Sequence, residues 1–234
     1  MPILMYHRVA DDGPDGLVRW RVPPADFARQ IAWLAAEGFT SIGLEGWLIA
    51  ARHDPASLAR RVVLTFDDAY KDFRTTAFPI LQTHGFAAMM FVPTQFMGGV
   101  AEWDREFGDP AALMSWAELD TLVASGLDIG AHTISHPRLT QLENEADIVR
   151  EVIGSRSELE ARYGRPVRTF AYPYGDFNET VARVVETAGF SLAVTIDPES
   201  AGPFALGRLG VFGDETFEAF VEKLARGGTS AGGL

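Results

Sequence analysis

Two adjacent carboxylates follow an apolar run in the segment RVVLTFDDAY, residues 61–70. The run 62–66 is typical of a buried strand, and Asp67 and Asp68 come directly after it. Each carboxylate raises the pKa of its neighbour unless a positive group compensates the pair. The pair therefore predicts either a nearby cation or, more simply, a turn that ends the strand.

A second candidate group is the pair of histidines in LDIGAHTISHPRL, residues 127–139. His132 and His136 are four residues apart, so both imidazoles can point the same way, and Pro137 prevents a long helix here. With one carboxylate of the aspartate pair they form a two-histidine, one-carboxylate set. Zinc commonly takes this set in hydrolases, and Fe, Co, Ni or Mn can also use it.

The two groups together explain why like charges stand side by side. A divalent cation held by Asp68, His132 and His136 would make an ionised neighbour tolerable. Asp67 would then be free to accept a proton from a water molecule. Each motif alone has an ordinary explanation, as a turn or as a structural histidine pair. Their position at the same end of a parallel sheet would favour a metal site.

A third segment, TFAYPYGDFN at residues 169–178, again runs from a predicted strand into a turn. Pro173 and Gly175 predict an irregular backbone, which could aim the Tyr174 N–H at a developing oxyanion. Taken alone, the segment is more typical of an ordinary β–α turn.

Short apolar runs alternate with segments of helical period along the chain. The predicted strands are 3–7, 40–44, 62–67, 87–92, 127–131, 168–171, 192–196 and 206–211. The predicted helices are 24–37, 45–52, 70–84, 115–125, 143–163, 178–188 and 214–226. Capping supports these bounds, since Ser115 opens an S-x-x-E capping box and Asn178 and Asp214 can each cap the next helix.

Uniformly apolar strands separated by single helices indicate an α/β protein with a parallel sheet covered on both faces. Seven or eight such units favour a (β/α) barrel over an open doubly wound sheet. We expect a single domain over residues 1–226 and a disordered tail at 227–234. Reactive residues of a barrel lie at the C-terminal ends of its strands, which is where all three motifs fall.

Composition excludes several classes of protein. The 234 residues carry a formal charge of −12, which argues against electrostatic binding of nucleic acid or anionic membrane. The absence of cysteine removes disulfides and thiolate metal sites. The start MPILMYHRV lacks the form of a signal peptide, and no apolar run is long enough to cross a bilayer. We therefore expect a soluble, cytoplasmic protein, or an extracytoplasmic one if the natural start is missing.

The motifs TFDD, HTISH and FAYPYG, in this order, resemble those of the polysaccharide deacetylase family, the NodB-homology domain of carbohydrate esterase family 4. YHRV, MSWAEL, HPRLTQL and ELEARYG are similar to flanking sequences of many members, and the likeness covers residues 3–220. The resemblance implies a distorted (β/α)7-8 barrel and a metal-dependent removal of an N- or O-acetyl group from a sugar. It implies Asp67 as the base and assigns oxyanion stabilisation to the metal and the Tyr174 amide. The metal ligands that it implies are Asp68, His132 and His136.

Two positions depart from the family pattern. Ala171 stands where many members have an arginine that orients the base, and Arg208 stands where a late motif usually supplies the histidine acid. The branch that deacetylates biofilm poly-N-acetylglucosamine has an early histidine proposed as the acid, which makes His7 the candidate here. A core histidine is the alternative. Arg208 is then either a substitute for the missing orienting arginine or a surface salt bridge.

Substrate contacts are expected from aromatic and turn residues near the strand ends. Trp103, in the long segment 93–115, suits the apolar face of a sugar, and Pro173 and Tyr174 lie within the third motif. His53 and His84 are expected to face solvent.

The interpretation is a zinc-dependent or other metal-dependent hydrolase acting on an N-acetylated carbohydrate. A deacylase of a small amide and a carbohydrate-binding homologue that has lost catalysis remain open.

Overall fold

A computed structural model describes residues 1–226 of the protein. The predicted tail at 227–234 lies outside the described residues. The strands of the described residues are β1 Ile3–Tyr6, β2 Arg8–Val9, β3 Arg21–Val22, β4 Thr40–Ser41, β5 Arg61–Phe66, β6 Met89–Val92, β7 Asp128–Ala131, β8 Thr169–Ala171, β9 Leu192–Val194 and β10 Leu209–Gly210. The α-helices are α1 Pro24–Ala36, α2 Leu44–His53, α3 Phe78–Thr83, α4 Trp116–Ala124, α5 Glu145–Tyr163, α6 Glu179–Thr187 and α7 Phe217–Ala225.

The main sheet is parallel and curves into a distorted barrel. Its strands follow the order β10-β1-β5-β6-β7-β8-β9, and β4 pairs with the start of β5. The last strand in the chain thus lies beside the first, with Leu4 opposite Leu209. A single bridge between Val194 and Leu206 joins β9 to the segment that leads into β10. The predicted α/β barrel is confirmed. Among the described residues, this one bridge closes the barrel between β9 and the segment before β10.

All eight predicted strands are present, although several are shorter than their apolar runs. The run 3–7 ends at Tyr6, and 206–211 contracts to Leu209–Gly210. Two features were not predicted: the parallel pair β2–β3 and the 3₁₀ helices Asp15–Trp20 and Glu102–Phe107. Such short elements leave no periodic signal in the sequence.

Helix starts follow the predicted capping chemistry at two of three positions. Ser115 and Glu118 form the capping box of α4, and the Asn178 side chain accepts the Val181 N–H at the start of α6. The prediction for Asp214 was wrong. Thr216 caps α7 because the helix begins at Phe217. Asp214 instead pairs with Arg19, with its Oδ2 3.5 Å from Arg19 Nη1.

Alternation along the strands produces two hydrophobic clusters. Leu4, Tyr6 and Phe66 pack between the sheet and the surrounding helices. Residues of the opposite parity, among them Val63, form a second cluster with α2, whose Trp47 is 1% exposed. Since successive strand residues point to opposite faces, this second cluster lies on the inner face of the barrel.

None of the helices within residues 1–226 is long and apolar enough to span a membrane.

Candidate active site

The position of Asp67 follows from the alternation of β5. Val63, Thr65 and Asp67 share one parity, so the carboxylate continues the inner face of the strand at its C-terminal end. Its N–H donates to the carbonyl of Tyr6 at 3.0 Å and extends the ladder with β1 by one residue. Asp67 is 2% exposed. A buried carboxylate at this place needs a partner.

The partner of Asp67 is Arg208, which is completely buried. Its Nη1 and Nη2 donate to Asp67 Oδ1 and Oδ2 at 2.7 and 2.6 Å. The guanidinium also donates to Thr65 Oγ1 at 3.0 Å and to the Thr195 carbonyl at 3.2 Å. Arg208 is therefore no surface salt bridge. It holds the Asp67 carboxylate by two parallel hydrogen bonds, the geometry that a guanidinium fork favours.

The arginine also decides the charge of Asp67. Burial raises the pKa of this carboxyl, but the charge and hydrogen bonds of Arg208 outweigh burial, and the pKa lies below its ordinary value. Asp67 is thus ionised and can accept a proton.

Asp68 turns away from the strand. Its φ of 76° lies in the left-handed region, and Ala69 follows at 58°. Its Oδ1 is 3.3 Å from His132 Nε2 and 3.2 Å from His136 Nε2. Burial raises the pKa of Asp68, but the two imidazoles outweigh it and hold that pKa well below its ordinary value. The backbone change between two adjacent aspartates therefore sends their side chains to different partners.

His132 is held at the end of β7. Its N–H donates to the Val92 carbonyl, and its Nδ1 lies 2.7 Å from the carbonyl of Ala171. Because a carbonyl only accepts, Nδ1 carries the proton, and in the neutral ring Nε2 then directs its lone pair toward Asp68. This arrangement of a donated Nδ1–H is typical of histidine ligands in metal sites.

His136 is reached through a tight loop. Thr133 and His136 both have positive φ, at 66° and 59°. The Thr133 hydroxyl accepts the His136 N–H at 3.0 Å and donates to the His132 carbonyl at 2.5 Å. The two imidazole rings meet at 4.9 Å. The helical turn expected from the spacing is therefore replaced by a hydrogen-bonded loop that brings the rings to the same point.

Three donor atoms fit a divalent cation. One ligand atom each from Asp68, His132 and His136 lies within 4.8 Å of the others, and all three side chains are buried. Asp68 Oδ1 has no aligned hydrogen-bond donor among the described residues. An unsatisfied buried carboxylate oxygen between two imidazole nitrogens is costly for a protein and suits a metal ligand.

His7 lies between β1 and β2, close to Asp67. Its Nε2 is 4.0 Å from Asp67 Oδ2, and its ring contacts Trp20 with a centroid distance of 4.7 Å. Burial lowers the pKa of His7, against the opposing charges of Asp68 and Asp67. The structure therefore brings His7 to the same centre as the three motifs.

The turn after β8 has the irregular backbone that the sequence predicts. Tyr174 has φ 59°, and its N–H makes no hydrogen bond within residues 1–226. Its ring meets His136 edge-on at 4.7 Å, and Arg138 stacks on it at 4.0 Å. Pro173 is buried and does not line the cleft described below. The amide of Tyr174 thus remains available to a ligand, whereas Pro173 shapes the turn.

Trp103 belongs to the 3₁₀ helix Glu102–Phe107 and stacks on His136, with ring centroids 4.3 Å apart and planes 29° apart. Phe96 supports it edge-on at 5.9 Å. The long connection between β6 and α4 therefore forms one wall beside the histidines.

These groups border one cleft of about 320 Å³. Its lining includes His7, Asp67, Asp68, Trp103, His132, His136, Arg138 and Tyr174. A larger and more open cavity beside it shares Arg8 and Phe107 but holds none of the candidate catalytic residues. His53 and His84 are exposed, as expected from their positions at helix ends.

Several cleft residues were not predicted from the sequence, and three of them make notable contacts. Trp20 lies against His7, and the Tyr70 hydroxyl donates to Asp104 Oδ2 at 2.5 Å. Burial raises the pKa of Asp104 to about 6. Tyr70 follows the TFDD motif by two residues, but nothing in the sequence relates it to Asp104, 34 residues away.

Comparisons with known proteins agree with this geometry. The family model of polysaccharide deacetylases matches residues 55–193. YxkH of Bacillus subtilis (strain 168), whose name assigns it to the polysaccharide deacetylases, is 25% identical over 231 residues, covering 96% of this chain and 77% of that protein. The poly-beta-1,6-N-acetyl-D-glucosamine N-deacetylase of Staphylococcus aureus (strain MRSA252) is 23% identical over 87% of this chain and 72% of its own length.

Among solved structures, the Streptococcus pyogenes deacetylase PplD in complex with acetate superposes with a TM-score of 0.81 and 25% identity. The match covers 95% of this chain and 97% of that one. The family match spans more than half of the chain and contains the aspartate pair and both histidines. The chain therefore belongs to the polysaccharide deacetylase family.

Proposed function

We propose that the protein is a metal-dependent hydrolase that removes the acetyl group from an N-acetylated sugar in an oligo- or polysaccharide or a sugar conjugate. The observation that carries the proposal is the meeting of Asp68 Oδ1 with His132 Nε2 and His136 Nε2 at 3.3 and 3.2 Å. Beside this group, Asp67 keeps a separate partner. Membership in the family and the deacetylases named among its relatives support the same activity.

Asp68, His132 and His136 would hold the cation, which we propose to be Zn²⁺; Co, Ni, Fe and Mn also suit this ligand set. When bound, such a cation polarises a carbonyl group and lowers the pKa of water from 15.7 toward about 7.

Asp67 acts as the general base. It accepts the proton of the water that attacks the acetyl carbon, because its carboxylate is ionised and oriented by Arg208. The bidentate contact fixes the carboxylate plane, so the accepting oxygen keeps one direction during the reaction. In this role Arg208 is a positioning residue, and it supplies the orientation that the family pattern takes from the position occupied here by Ala171.

Two further groups would act on the acetamido group. The Tyr174 N–H donates to the acetyl oxygen as negative charge develops on it. His7, beside Asp67, protonates the departing sugar nitrogen so that a neutral amine leaves. Two observations support these roles. The Tyr174 N–H makes no hydrogen bond within residues 1–226, and His7 Nε2 lies 4.0 Å from Asp67 Oδ2.

A carbohydrate substrate fits the aromatic walls of the cleft. Trp103 and Tyr174 on one side and Trp20 on the other offer ring faces and edges to the apolar face of a pyranose. The acidic chain, with a formal charge of −12, suits a neutral or cationic sugar better than a polyanion.

The test uses Asp67→Asn and acetate release from an N-acetylglucosamine oligomer. The variant should bind Zn²⁺ as the wild type does, because Asp67 is not one of the three ligands. Its kcat should fall by about 10²–10⁴-fold, the usual contribution of a general base. Elemental analysis of both proteins is the control. Full turnover by Asp67→Asn would contradict the assignment of the base, and a wild-type chain that binds no divalent cation would contradict the metal-dependent mechanism.

A further inference from the structure

The loop between the two candidate histidine ligands has an unfavourable backbone. Thr133 and His136 both adopt positive φ, and for a β-branched residue such as threonine this conformation is a genuine outlier. Conformations of this kind persist only where the surrounding structure holds them. The contacts that hold residues 133–135 therefore bear on where both imidazoles point.

Glu151, on α5, provides the main contact. Its Oε2 accepts the N–H groups of Ile134 and Ser135, both at 2.9 Å, and its Oε1 accepts the Ser135 hydroxyl at 2.8 Å. The residue is 6% exposed, and no cationic side chain within residues 1–226 pairs with it. A buried carboxylate without a cation is costly unless hydrogen bonds compensate it. All three hydrogen bonds that this carboxylate accepts within residues 1–226 go to the one loop.

Gly154, three residues later on the same helix, forms the second contact. A Cβ atom at this position would lie 2.4 Å from Cδ1 of Ile134. Residues three apart share a helix face, so the loop meets α5 at a carboxylate and at a bare stretch of backbone. Glycine inside a helix is less favourable than alanine, and the close approach of Ile134 accounts for its presence here.

We propose that Glu151 is a positioning residue for the metal site. Together with the bare helix surface at Gly154, its carboxylate holds the loop so that His136 presents Nε2 to Asp68. His132 has its own support, in the Ala171 carbonyl and the ladder of β7. Loss of Glu151 therefore releases His136 in particular, and changes a three-ligand site toward a two-ligand one. The inference rests on the metal binding in the proposed function.

The test measures metal binding rather than turnover. Zn²⁺ affinity is determined by competition with a chromophoric chelator, and the visible spectrum of the Co²⁺ form reports the number of ligands. Glu151→Ala should weaken Zn²⁺ binding by about 10–100-fold, the range for groups that orient metal ligands, and should alter the Co²⁺ spectrum. Glu151→Gln should stay within a few-fold of wild type, because its amide oxygen can still accept the two N–H groups.

Glu158→Ala is the matched control, since Glu158 is an exposed carboxylate on the same helix and should leave affinity and spectrum unchanged. Wild-type affinity and an unchanged Co²⁺ spectrum in folded Glu151→Ala would overturn the inference.

Gly154→Ala tests the same contact without removing the carboxylate. Alanine favours the helix, but its methyl group would meet Ile134, so Zn²⁺ affinity should fall. Adding Ile134→Val removes the clashing Cδ1 and should restore affinity. Unchanged affinity in Gly154→Ala would overturn the role of this helix face.

Failure of the proposed function gives a different result. A wild-type chain that binds Zn²⁺ in a Glu151-dependent way but releases no acetate from any N-acetylated sugar would support this inference and contradict the activity. A wild-type chain that binds neither Zn²⁺ nor Co²⁺ would overturn both.

Discussion

Asp67 and Asp68 are the same residue type, adjacent in the chain and both buried, yet the fold gives them different partners. Asp67 receives a permanent internal counterion, because Arg208 donates two hydrogen bonds to its carboxylate. Asp68 receives two imidazoles and keeps one oxygen without an aligned donor among the described residues. A carboxylate whose charge is compensated by an internal cation remains available for proton exchange. A carboxylate oxygen without a hydrogen-bond donor is available to bind a metal ion. We propose that this difference separates a base from a metal ligand.

The backbone produces this separation. Asp67 follows the extended ladder of β5 and so continues its inner face. The Asp68 N–H still donates to the Phe91 carbonyl of β6 at 3.1 Å, but its φ of 76° ends the extended conformation there. A non-glycine residue at positive φ is uncommon, and such strain tends to persist at functional sites. Substitutions at the two aspartates and around them should therefore have different signatures.

The largest effect is expected from Asp68→Ala, which removes a ligand. Metal content and acetate release should both fall to background, in contrast to Asp67→Asn, which keeps its metal. Because Zn²⁺ at 100 times its Kd would add about 2.7 kcal/mol to the unfolding free energy, a chelator should lower the Tm of wild type but not of Asp68→Ala. A Tm of the wild type that does not respond to Zn²⁺ would contradict this difference.

His7→Gln tests the imidazole that approaches Asp67 to 4.0 Å. Its kcat on an N-acetylated sugar should fall by about 10²–10⁴-fold, since an amine leaves poorly without a proton. Hydrolysis of an aryl acetate should fall much less, because a phenolate leaves without one. His53→Gln, at an exposed helix end, is the control. Equal losses on both substrates would show that His7 is not the acid.

Arg208→Met tests the permanent counterion. It leaves a buried carboxylate at Asp67 without its cation, which should lower the unfolding free energy by about 3–5 kcal/mol in the presence of a chelator. Urea unfolding measures this difference. Arg162→Met, which removes an exposed partner of Asp120, should cost no more than about 1 kcal/mol. Equal losses of unfolding free energy in the two variants would mean that Arg208 does not stabilise the buried Asp67 carboxylate.

The smallest effect is expected from Trp103→Ala, on the wall beside His136. Loss of one aromatic face should raise KM for a sugar substrate by about two- to ten-fold, corresponding to roughly 0.5–1.5 kcal/mol. Trp103→Phe keeps a ring, so its KM should lie between those of the wild type and Trp103→Ala. An unchanged KM in Trp103→Ala would place the sugar against the Trp20 side of the cleft instead.

Much of the fold was predictable because its signals are local. Apolar runs and helix caps indicated every long element, and the one wrong cap, at Asp214, missed the helix start by two residues. The elements that escaped prediction include the strands β2 and β3 and the 3₁₀ helices of the long connections. Their positions depend on what they pack against, as with Trp20 against His7 and Trp103 against His136.

The sequence by itself determined which groups stand at the C-terminal ends of the strands, because a strand and the residues after it are set by neighbours along the chain. It therefore indicated the aspartate pair, the histidine pair and the barrel that unites them. Only the tertiary structure decided which partners the two aspartates contact. Arg208 is 141 residues from Asp67, and Glu151 approaches the histidine loop from another element. Contacts of this kind exist only once the strands have closed into a barrel, since no local pattern specifies a partner so distant in the chain.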